Sequence, residues 1–475
     1  MTVEVTWQAE DVVRALHAQC LHEQSWVTHG VSIDSRTVKK GDLFIALKGP
    51  AHDGHDHVAA AFAAGAAAAI VSRNPTQVSQ QAPLIFVEDT FHALEHLGCA
   101  GRQRSEARIV AVTGSVGKTS TKEMLRLMLT AAGETYANEG SLNNHWGVPL
   151  SLSRLPQHAH YGVFELGMNH AGELKTLSAL VQPDVALITT IEAVHLEFFA
   201  SVEAIADAKS EIFSGMKPGG TAILNRDNPH YAQLAAAAKA YGVKKVLRFG
   251  RDKNADARLI DYSAGVDEGI IRADIMGQPF AYRLSAQGEH LALNSLGALL
   301  ACIAAGGDME ACAAALATFE QPKGRGGAQT IALAEGLLTL IDESYNASPA
   351  AVRAAIHVLG RMPIGGGRKI LVLGDMKELG AASPQLHAEL AKDIINAKID
   401  QVFTCGEMMK HLYDALPSDL QGNHALDSET LTLSVTNAVH AGDIVTVKGS
   451  HSMHMDLIVD ALKALGHNES HSLAS

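Results

Sequence analysis

The run Thr-Gly-Ser-Val-Gly-Lys-Thr-Ser at residues 113–120 constrains the fold more than any other stretch. A phosphate-binding loop of this kind works only between a buried strand and the N-terminus of a helix. Before it, Ile109, Val110, Ala111 and Val112 make a short apolar run suited to a parallel strand covered on both faces. After it, Met124, Leu125, Met128 and Leu129 recur at helical spacing. Gly114 and Gly117 let the backbone curl so that successive N–H groups, those of Ser115 and Val116 among them, point at phosphate oxygens. The helix N-terminus adds its partial positive charge there. Lys118 then reaches the β- and γ-phosphates of ATP, the Thr119 hydroxyl ligates Mg²⁺, and Ser120 closes the nucleotide-binding run. The longer form of the pattern has glycine at position 112, where this chain has Val112. The alternative is a plain glycine turn joining a strand to a helix.

At 475 residues the chain is long enough for about three domains, each with its own core. The composition gives a net charge of -13 with no block of Lys and Arg, which excludes a nucleic-acid-coating surface. Five cysteines, Cys20, Cys99, Cys302, Cys312 and Cys405, are widely spaced without a C-x-x-C pair, which fits a reducing cytoplasm. Residues 1–5 lack the features of a signal peptide, and no run is apolar enough to insert stably in a membrane; the alanine-rich residues 59–70 are too short. A cytoplasmic monomer is expected.

The pattern of elements predicts an α/β protein in three parts. Residues 1–105 form a small α/β domain, with a strand at 41–47 and a helix at 59–64. Two polar loops stand out in it: Asp34-Ser35-Arg36-Thr37, and the stretch from His52 to His57 that contains Asp53, Gly54, His55 and Asp56. Three histidines and two aspartates raise a metal site, and a solvated or substrate-touching turn is the reading preferred here. Residues 106–320 carry further apolar strands at 162–166, 184–188 and 221–224, separated by helices, as in a doubly wound parallel sheet. Short alternating segments over 257–285 add antiparallel strands to it. Residues 321–475 repeat the alternation, with strands at 337–341, 369–373, 401–404 and 443–447, giving a second, Rossmann-like doubly wound sheet, followed by a loose tail from about residue 467.

Ligands in such sheets sit at the carboxyl ends of strands, and several polar residues fall there. Glu165 ends the second strand among apolar residues, where burial calls for a cation such as Mg²⁺; a helix-capping carboxylate is the alternative. His195 follows the third strand and could ligate a second metal or simply pack in the core. Ile205, Ile212 and Phe213 place Lys209 on the apolar face of its helix; the alternative is a snorkelling amine. Burial makes a lysine a neutral amine, which can add CO₂ and become an anionic, metal-binding carbamate. Asn143 and Asn144 bring side-chain amides near the loop, and His290 and Asn294 share a helix face. Arg325, after the glycine-rich stretch, is the first fixed cation a nucleotide would meet if the third part folded over the second. Asp342, Ser344, Tyr345 and Asn346 gather before a helix starting near Pro349.

Taken together, these motifs resemble the Mur ligases over nearly the full length. The resemblance rests on Asp34-Ser35-Arg36 and Asp53-Gly54-His55, the phosphate loop, Asn143 to Pro149, the run from Glu165 to His170, His195-Leu-Glu197 and Ala208-Lys209-Ser-Glu211. It continues through Gly324-Arg325-Gly326, the Asp342 to Pro349 run, Leu373-Gly-Asp375-Met-Lys-Glu378-Leu-Gly380 and Val447-Lys448-Gly449-Ser450. The Ser-Tyr-Asn-Ala-x-Pro and Leu-Gly-Asp-Met-x-Glu-Leu-Gly runs are similar to those of the family member that adds D-alanyl-D-alanine. The resemblance implies an ATP-dependent ligase of peptidoglycan precursor synthesis, joining that dipeptide to UDP-N-acetylmuramoyl-tripeptide through an acyl phosphate. It implies that Lys118 and Thr119 hold the triphosphate and Mg²⁺, that Glu165, His195 and a carbamate on Lys209 ligate metal, and that Lys118, Lys209 and His195 are catalytic. It also implies that Asn294, Arg325, Asp342 and Tyr345 contact ATP, and that Ser35, Arg36, Asp53, Gly54 and His55 contact the UDP end of the substrate. The chain departs from the family at His451, where many relatives carry arginine. Folylpolyglutamate synthase has a related fold, against which the UDP-binding first region argues. A nucleotide-driven switch would need neither a second doubly wound sheet nor lack the Asn-Lys-x-Asp base-reading run, which is absent.

Overall fold

Alternation along the strand Arg108–Thr113 sets the architecture of the middle of the chain. Val110 and Val112 point to one face and pack with Met124, Leu125, Met128 and Leu129 of the helix Lys118–Thr130 and with Leu296 and Leu300 of the helix Glu289–Ala304. Ile109 and Ala111 point to the other, against Val148, Leu177, Ile205 and Phe213. Both faces are covered, so the strand reads as continuously apolar. A computed structural model describes this arrangement for residues 7–20, 25–49, 52–265 and 268–467. The expectations for residues 1–5 and for the tail beyond His467 lie outside the described residues, as does the side chain of Cys20.

The sheet has nine strands, and Arg108–Thr113 lies between Val185–Ile188 and Tyr161–Glu165, all parallel. Thr135–Ala137 forms the edge beyond Tyr161–Glu165. On the other side follow Thr221–Asn225 and Lys245–Gly250, and then Ala257–Ala264, Gly269–Ile275 and Gln278–Leu284, the last two antiparallel as expected. Register pairs Glu165 with Val112 and Ile188 with Thr113, so the strand ends that carry Glu165 and the 189–197 loop stand level with the phosphate loop.

The N-terminal sheet runs Gln19–Cys20, Leu84–Phe86, Ala68–Val71, Asp42–Ile45 and Gly30–Ser32, with its last four strands parallel. The third sheet runs Gly327–Leu333, Gly336–Glu343, Ile444–Lys448, Lys369–Gly374, Gln401–Cys405 and Gln421–Ala425. Its first strand is antiparallel and the rest are parallel, as a doubly wound sheet requires. That antiparallel edge strand is not among the strands expected from the sequence: Leu333 pairs with Gly336, whose φ of 144° a side chain would resist. Among the described residues no helix is long and apolar enough to cross a membrane.

The first sheet is tied to the second through the short helix Gly147–Ser153. Trp7 Nε1 donates to the Ser153 carbonyl at 2.8 Å, and Arg154 Nε to the Val31 carbonyl at 2.8 Å. Gly98 and Gly101 of the helix Thr90–Arg104 face that helix so closely that a Cβ would meet Pro149 at 2.8 Å and Leu152 at 2.2 Å.

Candidate active site

The phosphate loop is braced by the strand-end loop beside it. Ser115 N–H donates to the Thr190 carbonyl at 2.8 Å, its hydroxyl to the Glu192 carbonyl at 3.1 Å, and Thr189 Oγ1 to the Val116 carbonyl at 2.6 Å. Gly114 and Gly117 have φ of 147° and 84°. Asn294, four residues after His290 on the helix Glu289–Ala304, lies directly over Gly117, where a Cβ would stand 2.5 Å from its Nδ2. Gly117→Ala therefore combines left-handed strain of about 1–2 kcal/mol with a clash against a polar group. It is expected to lower both the melting temperature and nucleotide affinity; a parent-like titration with ADP would contradict this placement of Asn294.

Lys118 is folded back onto its own loop, donating to the carbonyls of Gly114 at 2.7 Å and Ser115 at 3.3 Å. Burial lowers its pKa, the Glu165 carboxylate opposes that shift, and the Arg325 charge from the third sheet adds to it. Lys118 thus lies within electrostatic reach of both. Thr119 Oγ1 donates to Glu165 Oε2 at 2.7 Å, and Asn143 Nδ2 to Glu165 Oε1 at 2.8 Å. Glu165 is 1% exposed, and its two carboxylate oxygens are satisfied by a hydroxyl and an amide, with Lys118 near enough to feel its charge. That corrects the helix-capping alternative and shows how the burial is compensated. Asn144 takes a different role: its Oδ1 accepts the N–H groups of Trp146 and Gly147, starting the helix Gly147–Ser153.

Lys209 is 1% exposed among Ile205, Ile212 and Phe213, which are equally buried. The snorkelling alternative is ruled out. Burial, and then the charge of Lys118, pushes its pKa well below the ordinary lysine value. His195, at φ 56°, instead reaches out of the sheet: its Nδ1 bonds Glu378 Oε2 of the third sheet. That bond holds the Glu378 carboxyl below the usual carboxylate value.

From the third sheet, the Arg325 guanidinium sits 4.2 Å from the centroid of the Tyr345 ring, and His451 packs on that ring at 5.4 Å. Asp342 Oδ1 accepts the Ser344 hydroxyl at 2.6 Å, and Ser348 caps the helix Pro349–Arg361. Lys448 Nζ, buried beside them, bonds Glu343 at 2.8 Å and the Asn346 carbonyl at 2.9 Å. His290 is close enough to Glu343 and Lys448 to feel both charges, while burial lowers its pKa.

The candidates in the first sheet form a separate cluster. Arg36 makes a two-pronged pair with Asp34, at 2.9 and 2.7 Å, and its hydrogen bond brings the Asp34 carboxyl down to about 2. Ser35 lies half-buried beside them. Asp53 starts the 3₁₀ turn Gly54–His57 and binds His55, whose Nε2 in turn accepts the Ser72 N–H at 2.8 Å. Burial raises the Asp53 pKa, but hydrogen bonds from His55 and Arg73 bring it down to about 2. Gly54 packs on the backbone of Leu47, 2.8 Å from where a Cβ would be. With His55 buried and spent on Asp53 and Ser72, the loop is an ordered polar turn.

Residues missed by sequence reasoning complete the setting. Lys122 is fully buried and donates to the carbonyls of Asn138 at 2.8 Å and Gly140 at 3.2 Å. It fixes the loop that brings Asn138 and Asn143 to Glu165. Lys118, Lys122, Leu125 and Leu129 share one helix face, so the signal used for Lys209 could have found it.

The sequence matches three family descriptions in chain order: Mur ligase family, catalytic domain, over residues 27–100; Mur ligase middle domain over 112–302; and Mur ligase, glutamate ligase domain, over 328–451. It is 37% identical over 447 residues to the UDP-N-acetylmuramoyl-tripeptide--D-alanyl-D-alanine ligase of Escherichia coli, covering 92% of this chain and 94% of the relative. The chain is a Mur ligase. This Mur ligase is also 35% identical to the enzyme of the same name from Rickettsia prowazekii, over 90% of its own length and 94% of the relative's. Its fold superimposes on the crystal structure of MurF from Acinetobacter baumannii with a TM-score of 0.84 at 30% identity, covering 97% of this chain and all (100%) of that one. MurF from Thermotoga maritima in complex with ADP gives 0.77 at 27% identity, covering 93% and 98%.

Proposed function

We propose that this Mur ligase uses ATP to join D-alanyl-D-alanine to UDP-N-acetylmuramoyl-tripeptide in peptidoglycan precursor synthesis. The observation that carries the reading is the Thr119–Glu165 pair beneath a lysine-bearing phosphate loop, in a chain whose relatives of that name match it over nine-tenths of its length. A tripeptide carboxylate oxygen attacks the γ-phosphorus, the bond to the β-phosphate oxygen breaks, and ADP leaves. The dipeptide amine then attacks the acyl carbon, losing a proton, and the C–O bond breaks to release phosphate. Lys118 and the N-terminus of the helix Lys118–Thr130 stabilise negative charge on the transferring group. Asn294, Arg325, Asp342 and Tyr345 border the nucleotide, and Ser35, Arg36, Asp53, Gly54 and His55 the UDP end. Residues 1–105, 106–320 and 321–475 are the three domains of this reading, which takes the enzyme as a monomer, and the free thiols of Cys99, Cys302, Cys312 and Cys405 support a cytoplasmic location.

The donors suit Mg²⁺. Thr119 and Glu165 offer hard oxygen atoms, and among the described residues no cluster of three or more His, Cys, Asp or Glu forms a closed cage. An ion here would therefore share its coordination with phosphate, as magnesium does in nucleotide sites. When bound, Mg²⁺ neutralises charge on the phosphates. His195 and Lys209, carrying a carbamate, would hold a second ion.

Release of ADP in the presence of ATP, tested with each substrate omitted in turn, separates this reading from a switch. Turnover is expected only with both UDP-N-acetylmuramoyl-tripeptide and D-alanyl-D-alanine present; equal turnover with neither would overturn it.

Arg325 belongs to the third domain and acts on ATP only when that domain is docked. Small-angle scattering is expected to show a smaller radius of gyration with ATP analogue and substrate than without. An unchanged radius at saturation would mean that closure does not gate the site.

A further inference from the structure

The run Leu373-Gly-Asp-Met-Lys-Glu-Leu-Gly380 follows the strand Lys369–Gly374, and its loop is held from several sides. Asp375 is fully buried; its carboxylate accepts the Met409 N–H at 2.8 Å and Lys377 Nζ at 2.9 Å, and its carbonyl accepts the Ser450 N–H at 3.1 Å. Met376 N–H donates to His387 Nε2 at 3.0 Å, and His387 Nδ1 donates to the Ser383 carbonyl at 2.7 Å. Both nitrogens of that ring are thereby assigned, one as acceptor and one as donor. Lys377 N–H donates to Ser450 Oγ at 2.9 Å. So much anchoring ends on one residue that leaves the third sheet.

Glu378 has φ 62° and His195 has φ 56°. Left-handed backbone in non-glycine residues persists only where the surroundings impose it, and here it occurs on both sides of one contact. The Glu378 carbonyl accepts the Glu197 N–H at 3.2 Å, and Gly380 lies against the same backbone, its Cβ position 3.5 Å from Glu197 Cα. The Glu378 carboxylate meets His195 Nδ1. We infer that Glu378 is a positioning residue: by accepting the Nδ1 proton of His195 it fixes the ring's tautomer and orientation, leaving the lone pair on Nε2. The orientation of His195 then depends on the third domain being docked. This rests on the ligase reading above and deepens it.

The test compares Glu378→Ala and Glu378→Gln in the parent and in a His195→Ala background, with ligation followed by radiolabelled dipeptide so that residual rates register. Parent ligation is established first, so a failure of the ligase reading is seen separately. Glu378→Ala is expected to lower kcat by about 10- to 100-fold, as losses of the groups that orient a ligating histidine do. Glu378→Gln, whose amide oxygen can accept the same proton, is expected to stay close to the parent, and Glu378→Ala to have no further effect once His195 is gone. Hydrogen exchange over residues 193–198, read without turnover, is expected to quicken in Glu378→Ala alone, at an unchanged melting temperature. Parent-like kcat in Glu378→Ala, a glutamine variant no better than alanine, an equal loss without His195, or unchanged exchange would each overturn the inference.

Discussion

Lys118→Ala is expected to lower the ligation rate by about a hundredfold or more, the scale seen when a single charge-stabilising donor is removed. The lysine's ammonium rests on the Gly114 and Ser115 carbonyls of its own loop, and on the proposed reading it would exchange those acceptors for phosphate oxygens when nucleotide binds. No neighbour can substitute. Arg325 comes from another sheet and is engaged with the Tyr345 ring, while Lys209 is buried on its own helix. Stability should change little, because Ser115 and Lys118 are only half-buried, although Gly114, whose carbonyl also loses its donor, is buried. Circular dichroism and a melting curve check the fold; near-normal turnover in a well-folded variant would sink the phosphate-loop assignment.

Lys209→Ala is expected to be nearly as damaging, for a different reason. A fully buried lysine facing a second positive charge, that of Lys118, favours the neutral amine. A neutral amine can attack CO₂, forming an N–C bond and releasing a proton, and the carbamate so formed replaces an awkward cation with an anion bearing two oxygens. Such a group suits the surroundings: it stands near Lys118 and can take up a hard metal ion. Acetate entering the space left in Lys209→Ala is therefore expected to restore part of the activity. Arginine should not work at 209, since it stays charged and cannot form the carbamate. Parent-like activity in Lys209→Arg, or a bare amine in high-resolution density of a metal-loaded, active enzyme, would show the modification to be wrong.

What was legible in the sequence was what is encoded locally. Apolar runs gave the central strands, and glycines at fixed spacing gave the loop. Apolar neighbours three and four residues away revealed the burial of Lys209. The compensation of Glu165 was only half legible: burial demanded a partner, but the Asn143 amide arrives from a loop 22 residues earlier whose shape depends on Lys122. Short strands such as Ala68–Val71 hid in alanine-rich sequence, because alanine has little strand preference and pairing with Asp42–Ile45 and Leu84–Phe86 decides the outcome. The bond between His195 and Glu378, separated by 183 residues, has no local signature at all. It depends on how two separately folded sheets dock.

The path of one oxygen atom tests the central claim most directly. With the terminal carboxylate of UDP-N-acetylmuramoyl-tripeptide labelled with oxygen-18, attack on the γ-phosphorus followed by displacement by the dipeptide amine carries one labelled oxygen into the phosphate released. Mass spectrometry is expected to find that label in phosphate, in step with amide formation. Unlabelled phosphate accompanying amide product would contradict the acyl-phosphate route.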